Sequence, residues 1–163
     1  MVTDAHEVLI DHHRVLRTMM RRFDELLSAP AQDRRQLLNT LSAEMQIHEQ
    51  IEDELYYPAV RDLTPLVWLA HAEHRQLEDQ LAVVLRTPLD SEPFPDEWRT
   101  LVHTLEGHAT EEETDMFPEA GAYLNAGELQ ALGQALQARQ AQLRRSRLVQ
   151  ARHWLKRETL RRL

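Results

Sequence analysis

The sequence predicts an all-α fold, an up-down antiparallel four-helix bundle with an additional C-terminal helix. Four stretches of about 20 to 25 residues carry apolar side chains at helical spacing, so each has one apolar face. Prolines fall in clusters between these stretches and indicate where each helix ends. No segment alternates polar and apolar residues as a half-buried strand does, so no sheet is expected.

The first two helices are predicted from their apolar stripes. The first is expected over about residues 4–27, where one face carries Leu9, His12, Leu16, Met19, Phe23 and Leu26. The second is expected over about residues 33–57, where one face carries Leu37, Leu41, Met45, His48, Glu52 and Leu55. Both stripes include ionisable side chains among apolar ones.

The next two helices repeat this arrangement. The third is expected over about residues 65–85, with a stripe of His71, His74, Leu77, Leu81 and Val84. The fourth is expected over about residues 95–117, with a stripe of Trp98, Leu101, Leu105, His108, Glu112 and Met116. A fifth helix is expected after the capping signal at residues 125–127, and its later apolar positions are Leu148, Ala151 and Leu155.

Length and composition limit the classes of protein to consider. The 163 residues favour one domain, divided into a bundle over residues 1–120 and a helical extension over residues 121–163. The absence of cysteine excludes disulfides, iron–sulfur ligation and thiol catalysis. No apolar run reaches the roughly 20 residues of a membrane span, and no secretory signal is visible. We therefore expect a cytoplasmic protein with no membrane partner.

Charge is unevenly distributed along the chain. Residues 139–163 contain nine basic residues against one acidic residue, whereas the chain as a whole carries a net charge of −8. A basic tail can indicate nucleic acid or an anionic surface as partner. We favour an amphipathic helix that packs on the bundle or forms a homodimer contact, and we expect no nucleic-acid partner.

One short pattern occurs twice. His48 precedes Glu52 by four residues, and His108 precedes Glu112 by four residues. Residues four apart are neighbours on one helix face, so each pair can reach one ion. Each copy also follows a separate acid–histidine pair, and each is followed at the same offset by an aromatic residue and a proline, namely Asp11-His12, Glu73-His74, Tyr57-Pro58 and Phe117-Pro118.

The repeated pattern predicts a two-metal site. Burying an ionisable side chain alone is costly, so ionisable residues on core-facing stripes are paired, protonated or metal-bound. Imidazole and carboxylate together form a ligand set typical of redox metals. At the first histidine, His12 is preferred over His13 because its spacing to Val15 and Met19 matches that of His74 to the leucines that follow it. His13 is then a surface residue or a hydrogen-bonding neighbour of the site.

The pattern as a whole resembles the hemerythrin-like, HHE cation-binding family over about residues 5–120. Stretches such as residues 6–13 and 51–58 are similar to actinobacterial members in particular. The resemblance implies a four-helix bundle around two iron ions bridged by oxide or hydroxide. Carried over to this sequence, the resemblance implies metal ligation by His12, His48, Glu52, His74, His108 and Glu112.

Two departures distinguish this sequence from oxygen-carrying hemerythrin. The carrier places two histidines four apart on its third helix, but here residue 70 is alanine and the extra histidine is His71, three before His74. His71 either ligates or hydrogen-bonds to the site. Glu112 also replaces a shorter aspartate. Both changes disfavour reversible oxygen carriage.

The two copies differ at one position near the site. Eight residues after His48 is Tyr56, and eight after His108 is Met116. In a regular helix, position i+8 stays near the face of residue i, whereas i+9 points away. We therefore expect Tyr56 to approach one iron as a ligand and catalytic residue, with Tyr57 packing outward. The alternative is a tyrosine that only donates a hydrogen bond near the end of the bundle.

These observations lead to three hypotheses about function. The first is catalase-like breakdown of hydrogen peroxide in a stress response. The second is a non-enzymatic protein that binds or senses oxygen, nitric oxide or iron. The third, an iron store, is disfavoured because ferritin-like bundles order their ligands as Glu-x-x-His. Zinc or manganese also suits such ligands.

Overall fold

A computed structural model describes the backbone of residues 3–161 and the side chains of residues 3–147. Every regular element in this described part is helical, which confirms the all-α bundle with an additional C-terminal helix. The expected stripe of Leu148, Ala151 and Leu155 lies outside the described side chains. The elements, with two π-helical segments named π1 and π2, are α1 (Ala5–Glu25), α2 (Ala31–Ile51), π1 (Glu52–Tyr56), α3 (Tyr57–Val60), α4 (Leu66–Arg86), α5 (Phe94–Glu111), π2 (Glu112–Met116), α6 (Phe117–Gly121) and α7 (Ala126–Arg161).

Two apolar clusters fill the bundle, one toward each end. The lower core includes Leu16, Phe23, Leu41, Leu77, Leu81, Trp98 and Leu105. The upper core includes Leu9, Ile51, Tyr57, Val67, Ala70, Met116, Phe117 and Leu136. The α1 and α4 helices pass from the upper to the lower core, and α2 and α5 pass from the lower to the upper. This alternation makes consecutive helices antiparallel, as short connections favour.

Capping residues fix where two of the helices begin. The Asp4 side chain accepts a hydrogen bond of 2.9 Å from the Glu7 amide, and the Glu7 side chain accepts one from the Asp4 amide, forming a capping box at α1. Asn125 accepts from the amides of Gly127 and Glu128 at the start of α7. Such caps satisfy amides that a helix leaves unpaired at its first turn.

Each copy of the repeated sequence pattern contains a π-helical turn. The π1 and π2 segments begin at Glu52 and Glu112, and the amides of Tyr57 and Phe117 bond to the carbonyls of these glutamates, five residues back. A proline lies two residues beyond the end of each segment, and proline cannot continue the regular pattern of helix hydrogen bonds. A π turn inserts one extra residue into the helix, so it rotates every later side chain relative to a regular α-helix.

The α7 helix packs across α1, α2 and π1. Leu136 is fully buried in the upper core. Beyond it, polar side chains of α7 pair with the bundle: Arg139 with Glu54 at 2.6 Å, Gln140 with His12 at 2.9 Å, Arg144 with Glu44 at 2.6 Å, and Arg147 with Gln46 at 2.8 Å. The described part of α7 is therefore held by one apolar contact region and a row of polar contacts.

Among the described residues, no helix combines the length and the apolar character that a membrane span requires.

Two glycines on different helices provide a matched test of the packing of α7. A Cβ at Gly133 would lie 2.6 Å from the Thr3 carbonyl oxygen and 2.9 Å from the Ala5 amide nitrogen, whereas a Cβ at Gly107 would meet nothing within 4 Å. We expect Gly133→Ala to lower the free energy of unfolding by about 1–3 kcal/mol through overpacking. Gly107→Ala is expected to raise it by about 0.5–1 kcal/mol, because alanine favours helix. Urea unfolding measures both, and equal effects would contradict this packing.

Candidate metal centre

A layer of ionisable side chains separates the two apolar cores. Each long bundle helix contributes one histidine to it, and π1 and π2 each contribute their first residue. All six side chains are buried, with exposed fractions of 4% or less: His13, His48, Glu52, His74, His108 and Glu112. The apolar residues above and below hold this layer at the middle of the bundle.

The carboxylates divide the layer into two halves. Glu52 Oε2 lies 3.3 Å from His48 Nε2 and 3.3 Å from His74 Nε2. Glu112 Oε2 lies 3.3 Å from His13 Nε2 and 3.6 Å from His108 Nε2. His74 Nε2 and His108 Nε2 approach to 3.3 Å, which joins the two halves. Each half thus offers two imidazole nitrogens and one carboxylate, the set that the repeated sequence pattern indicates.

The arrangement fits bound cations. Several atoms that face the interior of the layer have no hydrogen-bond partner of good geometry: His13 Nε2, His48 Nε2, both oxygens of Glu52, and Glu112 Oε2. A buried polar atom without a partner is costly, and a buried carboxylate more so. Two groups of ligand atoms each lie within 4.8 Å of one another, namely His13, His48, His108 and Glu112, and Glu52, His74 and His108.

The neighbouring carboxylates favour positive charge on two histidines of the layer. Burial disfavours the His13 imidazolium, but Glu112 and Glu113 outweigh it and raise the His13 pKa to about 9. Burial likewise opposes charge on His74, but Asp53 and Glu52 raise its pKa to about 10. The layer therefore attracts cationic charge strongly, which a metal ion would supply in place of protons.

The two halves of the layer differ in the pKa values of their carboxyl groups. Burial, followed by the charge of Glu112, raises the Glu52 pKa to about 7. Burial also opposes ionisation of Glu112, but His108 and His13 lower its pKa to about 2. Burial and the neighbouring histidines lower the His48 pKa well below its usual value. A neutral His48 with a free Nε2 suits metal ligation.

Carboxylates outside the layer hydrogen-bond to two of the four histidine rings and lie close to a third. His13 Nδ1 bonds to Glu113 Oε1 at 2.8 Å, and Arg17 donates to the same oxygen at 2.7 Å. His108 Nδ1 bonds to Glu73 Oε2 at 3.0 Å. His74 Nδ1 lies 3.4 Å from Asp53 Oδ1. A partner on Nδ1 fixes the ring and leaves Nε2 directed at the centre.

The first histidine of the layer is His13, and not His12 as expected from the sequence. His12 is buried under α7, where Nε2 bonds to Glu44 at 3.0 Å and Nδ1 to Gln140 at 2.9 Å. Because α7 covers a second face of α1, adjacent residues of α1 are both buried. Val15, whose spacing favoured His12, is not a core position, since it is 42% exposed. The stripe that faces the layer runs through Leu9, His13, Leu16 and Met20.

The tyrosine that reaches the layer is Tyr57, and not Tyr56. The Tyr57 hydroxyl donates to Glu112 Oε1 at 2.7 Å and lies 3.0 Å from His74 Nε2. The Tyr56 hydroxyl points away and lies 3.0 Å from His6 Nε2. The extra residue of π1 is the physical reason, because it turns position i+9 toward the layer where an unbroken α-helix would present i+8. The proline after each aromatic residue was the available signal of an irregular turn.

The extra histidine of α4 lies at the edge of the centre. His71 Nδ1 is 3.2 Å from Asp53 Oδ1, and the His71 side chain is 38% exposed. Its ring packs edge-on against Tyr57 at 5.0 Å between centroids. His71 therefore lies outside the six-residue layer, beside the carboxylate that also faces His74.

Comparisons with known proteins agree with this geometry. The family model for the hemerythrin HHE cation binding domain matches residues 4–120. Uncharacterized protein Rv2633c of Mycobacterium tuberculosis and uncharacterized protein Mb2666c of Mycobacterium bovis are each 40% identical to this chain over 148 residues, 89% of this chain and 90% of each relative.

A solved structure shares the fold as well as the sequence. It is the crystal structure of a hemerythrin HHE cation binding domain-containing protein, the Rv2633c homolog from Mycobacterium kansasii. It is similar with a TM-score of 0.82 and 42% identity, covering 92% of this chain and 93% of that chain. The family match spans the four bundle helices that build the layer. The chain therefore belongs to the hemerythrin HHE cation-binding domain family.

Proposed function

We propose that this protein is a non-haem diiron protein that breaks down hydrogen peroxide to oxygen and water. The observation that carries the proposal is the pairing of two imidazole–carboxylate half-sites in one buried layer. In each half, one carboxylate oxygen faces two imidazole nitrogens at 3.3–3.6 Å. Two ions sharing six protein ligands keep exchangeable positions, as a reactive site requires.

The residues proposed to hold the metals are the six members of the layer. His48, His74 and Glu52 would hold one ion, and His13, His108 and Glu112 the other. Two iron ions bridged by oxide or hydroxide would supply two-electron redox chemistry, so that one peroxide is oxidised to oxygen while a second is reduced to water. Imidazole with carboxylate suits iron, although zinc and manganese accept the same donors.

The protein's own part in this reaction is to orient ligands and manage protons. Glu113 and Glu73 hydrogen-bond to His13 and His108 from outside the layer, so the Nε2 atoms of these two rings stay directed inward. Asp53 lies 3.4 Å from His74 Nδ1. Tyr57 holds a proton at its hydroxyl oxygen within 2.7 Å of Glu112. Burial, followed by the charges of Glu52 and Glu112, raises the Tyr57 pKa well above its usual value. We therefore propose Tyr57 as a neutral hydrogen-bond donor beside the reacting oxygen atoms, whereas the sequence suggested Tyr56 as an iron ligand and catalytic residue.

Metal content provides a direct test of the ligand assignment. We expect His13→Gln to reduce bound iron from about two ions per chain to about one, since it removes one donor from a half-site. His12→Gln, the matched control on the neighbouring residue, is expected to retain full loading. Elemental analysis measures both, with circular dichroism to confirm folding. Full loading of the His13→Gln protein, or loss only in the His12→Gln protein, would contradict the assignment.

Metal binding should depend on pH in a defined direction. His13 and His74, with pKa values raised to about 9 and about 10, carry protons at neutral pH that a cation must displace. Apparent affinity is therefore expected to rise with pH until both rings are neutral. At least about two protons should be released per chain at pH 7, because Glu52, with a pKa raised to about 7, adds to the release from the two histidines. Calorimetric titration with zinc in buffers of different ionisation enthalpy measures this release. Binding without proton release would show that the cation does not displace protons from these histidines.

Oxygen evolution from hydrogen peroxide tests the reaction itself. Iron-loaded protein is expected to evolve oxygen well above an equal concentration of free iron. Tyr57→Phe is expected to slow this about ten-fold or more, because a hydrogen bond to a charged group contributes about 1.5–3 kcal/mol. No oxygen above the free-iron background would remove the proposal. A reversible spectral change with oxygen or nitric oxide, without turnover, would instead support a binding or sensing protein.

A further inference from the structure

A second pair of titratable side chains lies outside the metal centre, between α1 and π1. Tyr56 is fully buried, and its hydroxyl is 3.0 Å from His6 Nε2. The His6 ring stacks flat on Phe117, with centroids 5.0 Å apart and an interplanar angle of 8°. His6 is partly exposed, so the pair leads from the interior to the surface.

Tyr57 connects this pair to the centre. The Tyr56 and Tyr57 rings are 6.1 Å apart between centroids. The Tyr57 hydroxyl in turn lies 2.7 Å from Glu112 Oε1. Three side chains thus form a short path from the buried layer to the surface, with an oxidisable phenol at each of its two inner positions. Electrons cross such short gaps between aromatic rings readily.

Protonation states suit the exchange of a proton within the pair. Burial, followed by the charges of Glu112 and Glu52, raises the Tyr56 pKa above its usual value, so the phenol does not ionise by itself. Burial lowers the His6 pKa, against a smaller opposing effect of Asp4, so the ring is a neutral acceptor. An oxidised phenol becomes a strong acid, and its proton can then cross the hydrogen bond to His6.

The second copy of the repeated pattern has no such pair. Met116 occupies the position in π2 that Tyr56 occupies in π1, and it is equally buried in the upper core. The fold therefore accepts an apolar side chain at this position. Only one copy of the repeated pattern therefore places a phenol and a hydrogen-bonded imidazole at this position, which favours a chemical role over a purely structural one.

We propose that Tyr57, Tyr56 and His6 form a proton-coupled electron relay that gives the protein a peroxidase activity toward small phenols or ascorbate-type reductants at the surface near His6. The inference rests on the proposed function, because hydrogen peroxide is the oxidant. Each electron that leaves Tyr56 is accompanied by breakage of its O–H bond and formation of an N–H bond at His6 Nε2. Two electrons and two protons reduce one hydrogen peroxide to two waters. Two reductant molecules each lose one hydrogen atom overall, which restores the phenol.

Radical detection in the iron-loaded protein tests the relay. After mixing with hydrogen peroxide and rapid freezing, electron paramagnetic resonance is expected to show a tyrosyl radical. Tyr56→Phe is expected to lower its yield and the ascorbate-dependent peroxide consumption at least five-fold, while oxygen evolution persists. His6→Gln should lower both as well. Tyr123→Phe, a control on a tyrosine that is 68% exposed, should change neither. An unchanged radical in the Tyr56→Phe protein would overturn the proposal.

A second measurement separates the relay from the peroxide chemistry. The chain has no cysteine, so Ala122→Cys in a Tyr123→Phe background allows one ruthenium photo-oxidant to be attached near His6. In zinc-loaded protein, a laser flash is expected to form a phenoxyl radical that is lost in Tyr56→Phe and forms more slowly in deuterated water. A radical independent of Tyr56 would overturn the relay. A Tyr56 radical here, in a protein that evolves no oxygen, would support the relay and remove the proposed function.

Discussion

The structure depends on one constraint, the cost of placing six ionisable side chains in the middle of a helical bundle. Histidine and glutamate replace apolar residues at positions where the two cores would otherwise join. Without compensation such burial would cost several kcal/mol for each charged group. The layer reduces that cost internally, because His13 lies 3.3 Å from Glu112 and His74 lies 3.3 Å from Glu52, so that opposite charges face each other. The atoms left without a hydrogen-bond partner face one another. A bound cation, as expected in a cation-binding family, would pair with them.

Much of this arrangement could be predicted from the sequence, because helical spacing determines which residues share a face. The placement of His48, His74 and His108 in one layer follows from their position among leucines at helical spacing. Glu52 and Glu112 follow from their distance of four residues from a histidine. The antiparallel order of the helices follows from the clustered prolines and short connections. These features are local, and a single sequence records local periodicity well.

Two side chains could not be placed in this way, and each has a separate physical cause. His12 and His13 are both buried because α1 packs against the bundle on one face and against α7 on another, and α7 lies more than 100 residues away in the sequence. Tyr56 and Tyr57 exchange roles because π1 adds a residue to the helix, which periodicity with a fixed spacing cannot represent. In both cases the predicted residue is one position away from the residue that faces the layer. A non-local contact in the first case, and an irregular turn in the second, determines which of the two adjacent side chains faces it.

Each bundle helix contributes its histidine near its middle, whereas the three connections between the bundle helices lie at the ends of the bundle. The length of a connection is therefore independent of the geometry of the centre. Insertions at residues 26–30, 61–65 or 87–93 would lengthen the connections without rotating any histidine. Deleting one residue inside α1 or α4, between cap and histidine, would rotate the ring by about 100° and carry it out of the layer. Natural variation in length within this family should therefore concentrate at the bundle ends and avoid the helical segments that lead to each histidine.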